Sequence, residues 1–331
     1  MLMEYLSQFF IGVSIGKSEK RDQANIEPIE KSTPPPHDGQ KGSSSKNAPP
    51  FSPDPFLKHF TFQKYQKQSL RSVGSMLWGD AFRPNNPIHS LLSIESEMLS
   101  PSEVFKAYEK LSRILRIVKE ACHTQTLEPR EKLRLVYATM EALGIRFGDM
   151  DDPLLSRNLN AHQLDCDTSS FVVMAIAHEM GWPVRIVLAP NHVFVRWDDG
   201  KGVRFNMDFG EIHPDPYYIE TMKIPPESLQ RGIRLKNLNP AERLALFLHL
   251  RGSAKADQGR LSEAIKDYTE AIFLNPRFPD AYLDRGHLRN EMGQYPQAQG
   301  DLIQAEKLDP RYSGAVRNVE FTQRLRKILK R

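Results

Sequence analysis

The sequence predicts an α+β domain followed by an all-α repeat module. Three observations carry this reading. Amphipathic helical patterns come first, in the stretch around positions 100–180. Short strand patterns then crowd between positions 184 and 208. From about position 241 onward the chain repeats itself at a fixed spacing. Helices followed by strands, with no alternation between them, indicate segregated α+β packing and not a parallel βαβ sheet.

The 331 residues are enough for about two domains at ~150 residues each. Two cysteines, Cys122 and Cys166, exclude a disulfide scaffold and a Cys-rich zinc module. The net charge is only +4, so no nucleic-acid partner is expected. No stretch has the ~18 apolar residues of a membrane span, and membrane association is not expected.

Residues 1–16, MLMEYLSQFFIGVSIG, place Leu2, Leu6, Phe9, Phe10 and Val13 at helical spacing. Glu4, Ser7 and Gln8 interrupt the apolar run, and the basic residues follow it instead of leading it, unlike a signal peptide. The segment reads as a short helix or frayed terminus and the chain as cytoplasmic, with export or membrane attachment left open. Gly12 to Ser18 mimics a phosphate-binding loop, but position 11 is Ile where that motif needs Gly. Eight of the 24 prolines (Pro28, Pro34, Pro35, Pro36, Pro49, Pro50, Pro53 and Pro55) fall in residues 17–55. With so few large apolar residues, that segment reads as a disordered linker.

A globular domain is expected over 56–240. Ser100-Pro101-Ser102-Glu103 is a capping box with Pro at the first helical position. The helix continues to about Lys119, with Val104, Tyr108, Leu111, Leu115 and Val118 on one stripe. A second helix is expected from Pro129 to Leu143, stopped by Gly144, and a third from Thr168 to Met180. Strands are expected at Val184–Ala189, His192–Trp197 and Val203–Asp208. Asp-Asp-Gly-Lys-Gly between the last two is a hairpin signal.

In the last segment, 241–331, Gly252 aligns with Gly286, Gly259 with Gly293, Ala264 with Ala298, Ala271 with Ala305, and Pro276 with Pro310. Every pair is 34 apart. Small residues at those offsets are what close helix crossings need, and this is the tetratricopeptide period. Two repeats are expected, 245–278 and 279–312, and such repeats bind protein partners. The final helix, Arg311 to Arg331, carries seven basic residues against Glu320 and reads as a solvated cap.

The chemistry concentrates in Leu164-Asp165-Cys166-Asp167-Thr168-Ser169-Ser170. Asp165, Asp167, Thr168 and Ser169 are all N-cap types, and the following Phe171–Ala177 is apolar all round. Cys166 therefore opens a buried helix, whose field is expected to lower the thiol pKa. Asp165 and Asp167 oppose this if they face the sulfur. With Asp198–Gly202 as the loop, Trp197 pairs with Val203, Val195 with Phe205 and Val193 with Met207. His192 then falls across from Asp208, within hydrogen-bond reach. A two-residue slip would offer Asn206 instead of Asp208, and the cost of this register is Arg196 opposite Arg204.

Cys at a helix N-terminus with a His–carboxylate pair on adjoining strands suits thiol catalysis, the His taking the proton and the carboxylate orienting the ring. Oxyanion donors are sought in the Cys166 amide and in the side chains of Gln163 or Asn160. Cys122 and His178 read as structural. His162 and His213 could approach the site, yet the spacing is too loose for a metal centre, and no cofactor is expected.

Leu164 to Ala177, Gly181-Trp182-Pro183-Val184 and Pro190 to Trp197 resemble the bacterial transglutaminase-like family, specifically its SirB-type branch. That branch joins such a domain to C-terminal tetratricopeptide repeats. The resemblance implies a papain-like thiol-protease fold over roughly residues 90 to 310, with Cys166, His192 and Asp208 as the triad. It further implies a peptidase, amidase or acyl-transferase working on a protein or peptide through a Cys thioester. A catalytically silent scaffold acting through its repeats is the alternative. Asp167 stands where an aromatic often follows the nucleophile, and the hairpin ends in Asn-Met-Asp-Phe instead of a Trp-Asp-Pro type ending.

Overall fold

The computed structural model describes residues 81–316, all within one compact unit, Pro53–Arg331. The expected segments 1–16 and 17–55, and most of the expected final helix, lie outside the described residues. The described part is mostly helical, with two small sheets.

Helix α1 (Pro87–Glu95) starts on Asn86, whose side chain accepts from the Ile88 amide. Helix α2 runs from Pro101 to Thr124, a turn longer than its stripe suggested. Its capping box is present, with Ser100 and Glu103 exchanging bonds. Helix α3 (Pro129–Ala142) follows. A parallel pair, β1 (Arg146–Phe147) and β2 (Gln163–Leu164), flanks the short α4 (Leu155–Ala161). The first turn of α4 is held by Glu95, which accepts from the Leu155 and Ser156 amides at 2.7 and 3.0 Å.

Helix α5 (Cys166–Met180) is the hub of the core. Phe171, Val172, Val173, Ala175 and Ile176 are fully buried, as a helix apolar on every side must be. It starts at Cys166, earlier than expected, because Asp165 is the N-cap and makes a capping box with Thr168. Gly181, at φ 71°, ends it in the left-handed conformation.

An antiparallel sheet follows in the order β3 (Val184–Ala189), β4 (His192–Asp198), β5 (Arg204–Asp208), β6 (Glu211–His213). Its register corrects the expected one by two residues. Val195 pairs with Met207, Trp197 with Phe205, and Asp198 with Arg204. The loop is what moved. Asp199 Oδ1 accepts from the Lys201 and Val203 amides at 2.7 and 3.0 Å, closing the turn one residue later and leaving Asp198 in the strand. The slip also removes the expected clash of like charges. Arg196 now faces Asn206, and Arg204 faces Asp198.

Two short helices, α6 (Asp215–Thr221) and α7 (Pro226–Gln230), lead to the repeats. These are α8 (Pro240–Asp257), α9 (Leu261–Leu274), α10 (Pro279–Glu291) and α11 (Tyr295–Leu308), closed by a 3-10 turn at Pro310–Tyr312. The glycines at the crossings are sterically required. A Cβ on Gly252 would lie 2.7 Å from the Tyr268 ring, and one on Gly286 2.8 Å from Leu302.

A second periodic feature is polar. Arg251 clamps Asp267 bidentately at 2.8 and 2.7 Å. Arg285 clamps Asp301 at 2.9 and 2.7 Å in the next repeat. The repeats join the core through Arg234, whose side chain is fully buried. It bonds Asp280 at the start of α10 (2.7 and 3.0 Å) and Asp309 after α11 (2.9 Å).

Candidate functional site

The first turn of α5 docks against the start of β4. Ser170 Oγ donates to the Val193 carbonyl at 3.3 Å, and the Val193 amide faces the Cys166 sulfur. Cys166 is thereby set beside the strand residue that follows His192. His192 Nε2 lies 2.6 Å from Asp208 Oδ2, both side chains largely buried. With Nε2 committed to the carboxylate, the neutral ring carries its lone pair on Nδ1, the tautomer a general base needs. The His192 ring is stacked on Tyr218, with centroids 6.1 Å apart.

The contact between His192 and Asp208 is reached differently from the expected ladder. The β4–β5 pairing ends at Val195–Met207, and Asp208 pairs instead with Glu211 of β6. The side chains then meet diagonally. Asn206 is drawn away from the imidazole. It accepts from Arg196 Nε at 2.6 Å and donates to Asp215 at 2.8 Å.

Neither side chain sought as an oxyanion donor is brought to the sulfur. Gln163 donates to the Asp149 carbonyl at 3.0 Å, and Asn160 donates to the Glu103 carbonyl on α2 at 2.9 Å. His162 is exposed at the end of α4, and His213 is stacked on Tyr217 with centroids 4.1 Å apart. Cys122 lies within α2. Among the described residues no group of three or more His, Cys, Asp or Glu side chains is placed to hold a metal ion.

The electrostatics at the thiol correct the expected effect of the helix terminus. Burial first, then the Asp167 carboxylate, push the Cys166 thiol up, against a smaller opposing pull from the Val193 amide. The Cys166 thiol lies 3.5 Å from Asp167 Oδ1. Asp167 is itself pushed up to about 6 by burial and by Asp165. Both effects favour the thiol over the thiolate, so a base that takes the proton would be needed to ionise it.

The cleft beside the thiol has a wall that the sequence reading did not foresee. A cavity of about 170 Å³ is lined by Asp167, His192 and Val193 from the core and by His249, Leu283 and Asp284 from the repeats. That volume is room for about five or six waters, or one long side chain. His249 Nε2 bonds Asp284 Oδ2 at 2.7 Å. Burial opposes its protonation, but the carboxylates of Asp284, Asp280 and Asp167 together hold His249 above its ordinary range. The boundary between the repeats and the α+β core thus runs through this cavity.

Comparisons with known proteins match the repeats. Residues 252–293 match the TPR repeat family. The human "Tetratricopeptide repeat protein 6" is 31% identical over 96 residues, 28% of this chain and 18% of that protein. The "DnaJ homolog subfamily C member 7 homolog" of Dictyostelium discoideum is 30% identical over 97 residues, covering 28% of this chain and 16% of its own. The chain thus spans less than a fifth of either relative. Among solved structures, the crystal structure of menin that "reveals the binding site for Mixed Lineage Leukemia (MLL) protein" aligns over 76% of this chain and 69% of its own. It does so at 13% identity and a TM-score of 0.39.

Proposed function

We propose that this chain is a protein-interaction protein whose tetratricopeptide module engages a protein or peptide partner along the seam it shares with the α+β core. The observation that carries the reading is the jointly lined cavity, whose apolar lining includes Leu246, Leu250 and Leu283 from α8 and α10. The repeat match and the relatives' repeats support the partner class. Leu283→Asp places a charge in that lining without touching the Arg–Asp clamps. Partners cross-linked to the wild type in a lysate should be lost from the variant while its helical content is unchanged. Equal capture by both would count against the seam as the binding surface.

A second reading is favoured by one specific contact, the His192–Asp208 pair beside Cys166. In this reading the site is transglutaminase-like: His192 Nδ1 accepts the Cys166 proton, the thiolate attacks a carbonyl of the bound segment, and Asp208 stabilises the imidazolium. The Cys166–carbonyl bond forms as the leaving group departs with the proton from His192. Water or an amine then releases the acyl group. Acylation of Cys166 by 4-nitrophenyl acetate, located by mass spectrometry, tests it. The expected result is labelling that depends on His192, and labelling unaffected by His192→Gln would overturn it.

A further inference from the structure

Helix α2 carries a row of cations that the described carboxylates leave unpaired. Lys106, Lys110, Arg113 and Arg116 follow one another at steps of four, three and three residues, which sets them on one helix face. They line a surface groove of about 650 Å³ that α4 completes with Arg157 and Asn160. From Lys106 to Arg116 the row spans about 15 Å at the helical rise.

Two carboxylates share the groove, and neither neutralises the row. Glu103 is turned to the start of its own helix, where it accepts from the Ser100 amide and hydroxyl at 2.9 and 2.7 Å. Arg157 is held by Asp152 at 2.8 Å. Among the described residues, Lys106, Glu109, Arg113 and Arg116 take part in no ion pair. Lys110 is fixed in place, its ammonium donating to the Leu159 and Asn160 carbonyls at 2.9 and 3.2 Å. These carbonyls close the C-terminal end of α4, where a cation is favoured. Burial and the Lys106 charge push the Lys110 ammonium down. Like charges at helical spacing repel, and an anion from outside would relieve them. Beside the row Phe105 is 39% exposed, and it lines a neighbouring hollow together with Arg113 and Arg116.

We infer that this groove docks an acidic segment of a partner protein, its carboxylates on Lys106, Arg113 and Arg116 and an apolar side chain against Phe105. Four or five residues of extended chain cover the ~15 Å of the row. Glu103 and Glu109 line the same groove and would repel an unbroken phosphate backbone. A peptide spaces its charges and can place them away from both. None of the groove's residues lines the cavity at the repeat seam, so the site stands apart from the seam as a binding surface.

Fluorescence anisotropy tests it, with the full chain and a labelled peptide of four glutamates followed by leucine and phenylalanine. The peptide should bind at low ionic strength and be released at about 1 M salt, where the Debye length is about 3 Å. Lys106→Gln with Arg113→Gln and Arg116→Gln removes three exposed charges and keeps good helix formers. This variant should bind about tenfold more weakly, the combined effect of three exposed ionic contacts, with circular dichroism unchanged. Leu283→Asp, in the seam, should bind the peptide as the wild type does. Equal binding by the wild type and the triple variant would overturn the inference, as would equal binding of a peptide with glutamine in place of glutamate. Loss of binding in Leu283→Asp alone would move the peptide to the seam and overturn it too. A single-stranded oligothymidine that binds the wild type more tightly than the peptide does, and is lost in the triple variant, would overturn the choice of a peptide.

Discussion

His192 Nε2 and Asp208 Oδ2 meet at 2.6 Å at a point where the two strands that carry them have stopped pairing. The ladder between β4 and β5 closes at Val195–Met207, and beyond it Asp208 turns into a hairpin with Glu211. The first turn of α5 seats Cys166 against Val193, the residue that follows His192 on β4. The contact is thus made at the frayed end of a ladder, where side chains and not backbone bonds hold the geometry.

On the thiol reading, Asp208→Asn should keep the fold and slow the acylation of Cys166. An amide can still accept from Nε2 but cannot stabilise the imidazolium. Acylation of Cys166 is expected to fall by on the order of 10³- to 10⁴-fold, as in other imidazole–carboxylate pairs. The check is the ester-labelling rate with circular dichroism alongside.

Asp167→Asn should act in the opposite direction. Asp167 pushes the thiol up, so its removal lowers the thiol pKa and speeds alkylation of Cys166 by iodoacetamide at neutral pH. Stability should respond too. The Asp167 carboxyl is raised to about 6 in the folded state, from 3.8. The folded chain therefore holds that proton more tightly than the unfolded chain. The carboxylate destabilises as pH rises from about 4 through 6, by about 3 kcal/mol at pH 7. Denaturant melts should show that fall in the wild type and not in the variant.

Gly252→Ala and Gly286→Ala should each destabilise by roughly 1–3 kcal/mol, because the new methyl would sit 2.7 and 2.8 Å from Tyr268 and Leu302. Arg285→Ala should cost roughly 1–3 kcal/mol, because the buried Asp301 loses its bidentate partner and keeps only Arg289, at 2.6 Å. Thermal melts measure both effects. The glycine penalties are steric, whereas that of Arg285→Ala comes from the loss of a charged partner.

Arg234→Met should loosen the repeats from the core. It removes the cation held by Asp280 and Asp309 and leaves both carboxylates buried. Hydrogen exchange should rise first in α10 and the 3-10 turn at Pro310–Tyr312. Because α10 carries Asp284, the wall of the cavity opposite His192 should loosen with it.

The repeats were legible because their steric rule is written in glycine and alanine at fixed offsets. The Arg251–Asp267 and Arg285–Asp301 clamps obey the same period but were hidden, since charged residues on a helix read as solvated. The strand register was not legible because both pairings keep Val193, Val195, Phe205 and Met207 on one face. The side chain of Asp199, capping the loop from within, decides between them. Cys166 stood out from its N-cap neighbours. His249 did not, because its place beside Asp167 depends on how a separate module docks.

The claim that divides the two readings is that Cys166 is a working thiol served by His192, next to a cavity the repeats help to line. The direct measurement is site-resolved acylation by 4-nitrophenyl acetate, comparing Cys166 with Cys122 in the wild type and in His192→Gln. The account predicts that Cys166 is acylated far faster than Cys122 and that His192→Gln abolishes the difference. Equal, slow acylation of the two cysteines, or a Cys166 rate indifferent to His192, would contradict it and leave the repeats as the functional part of the chain.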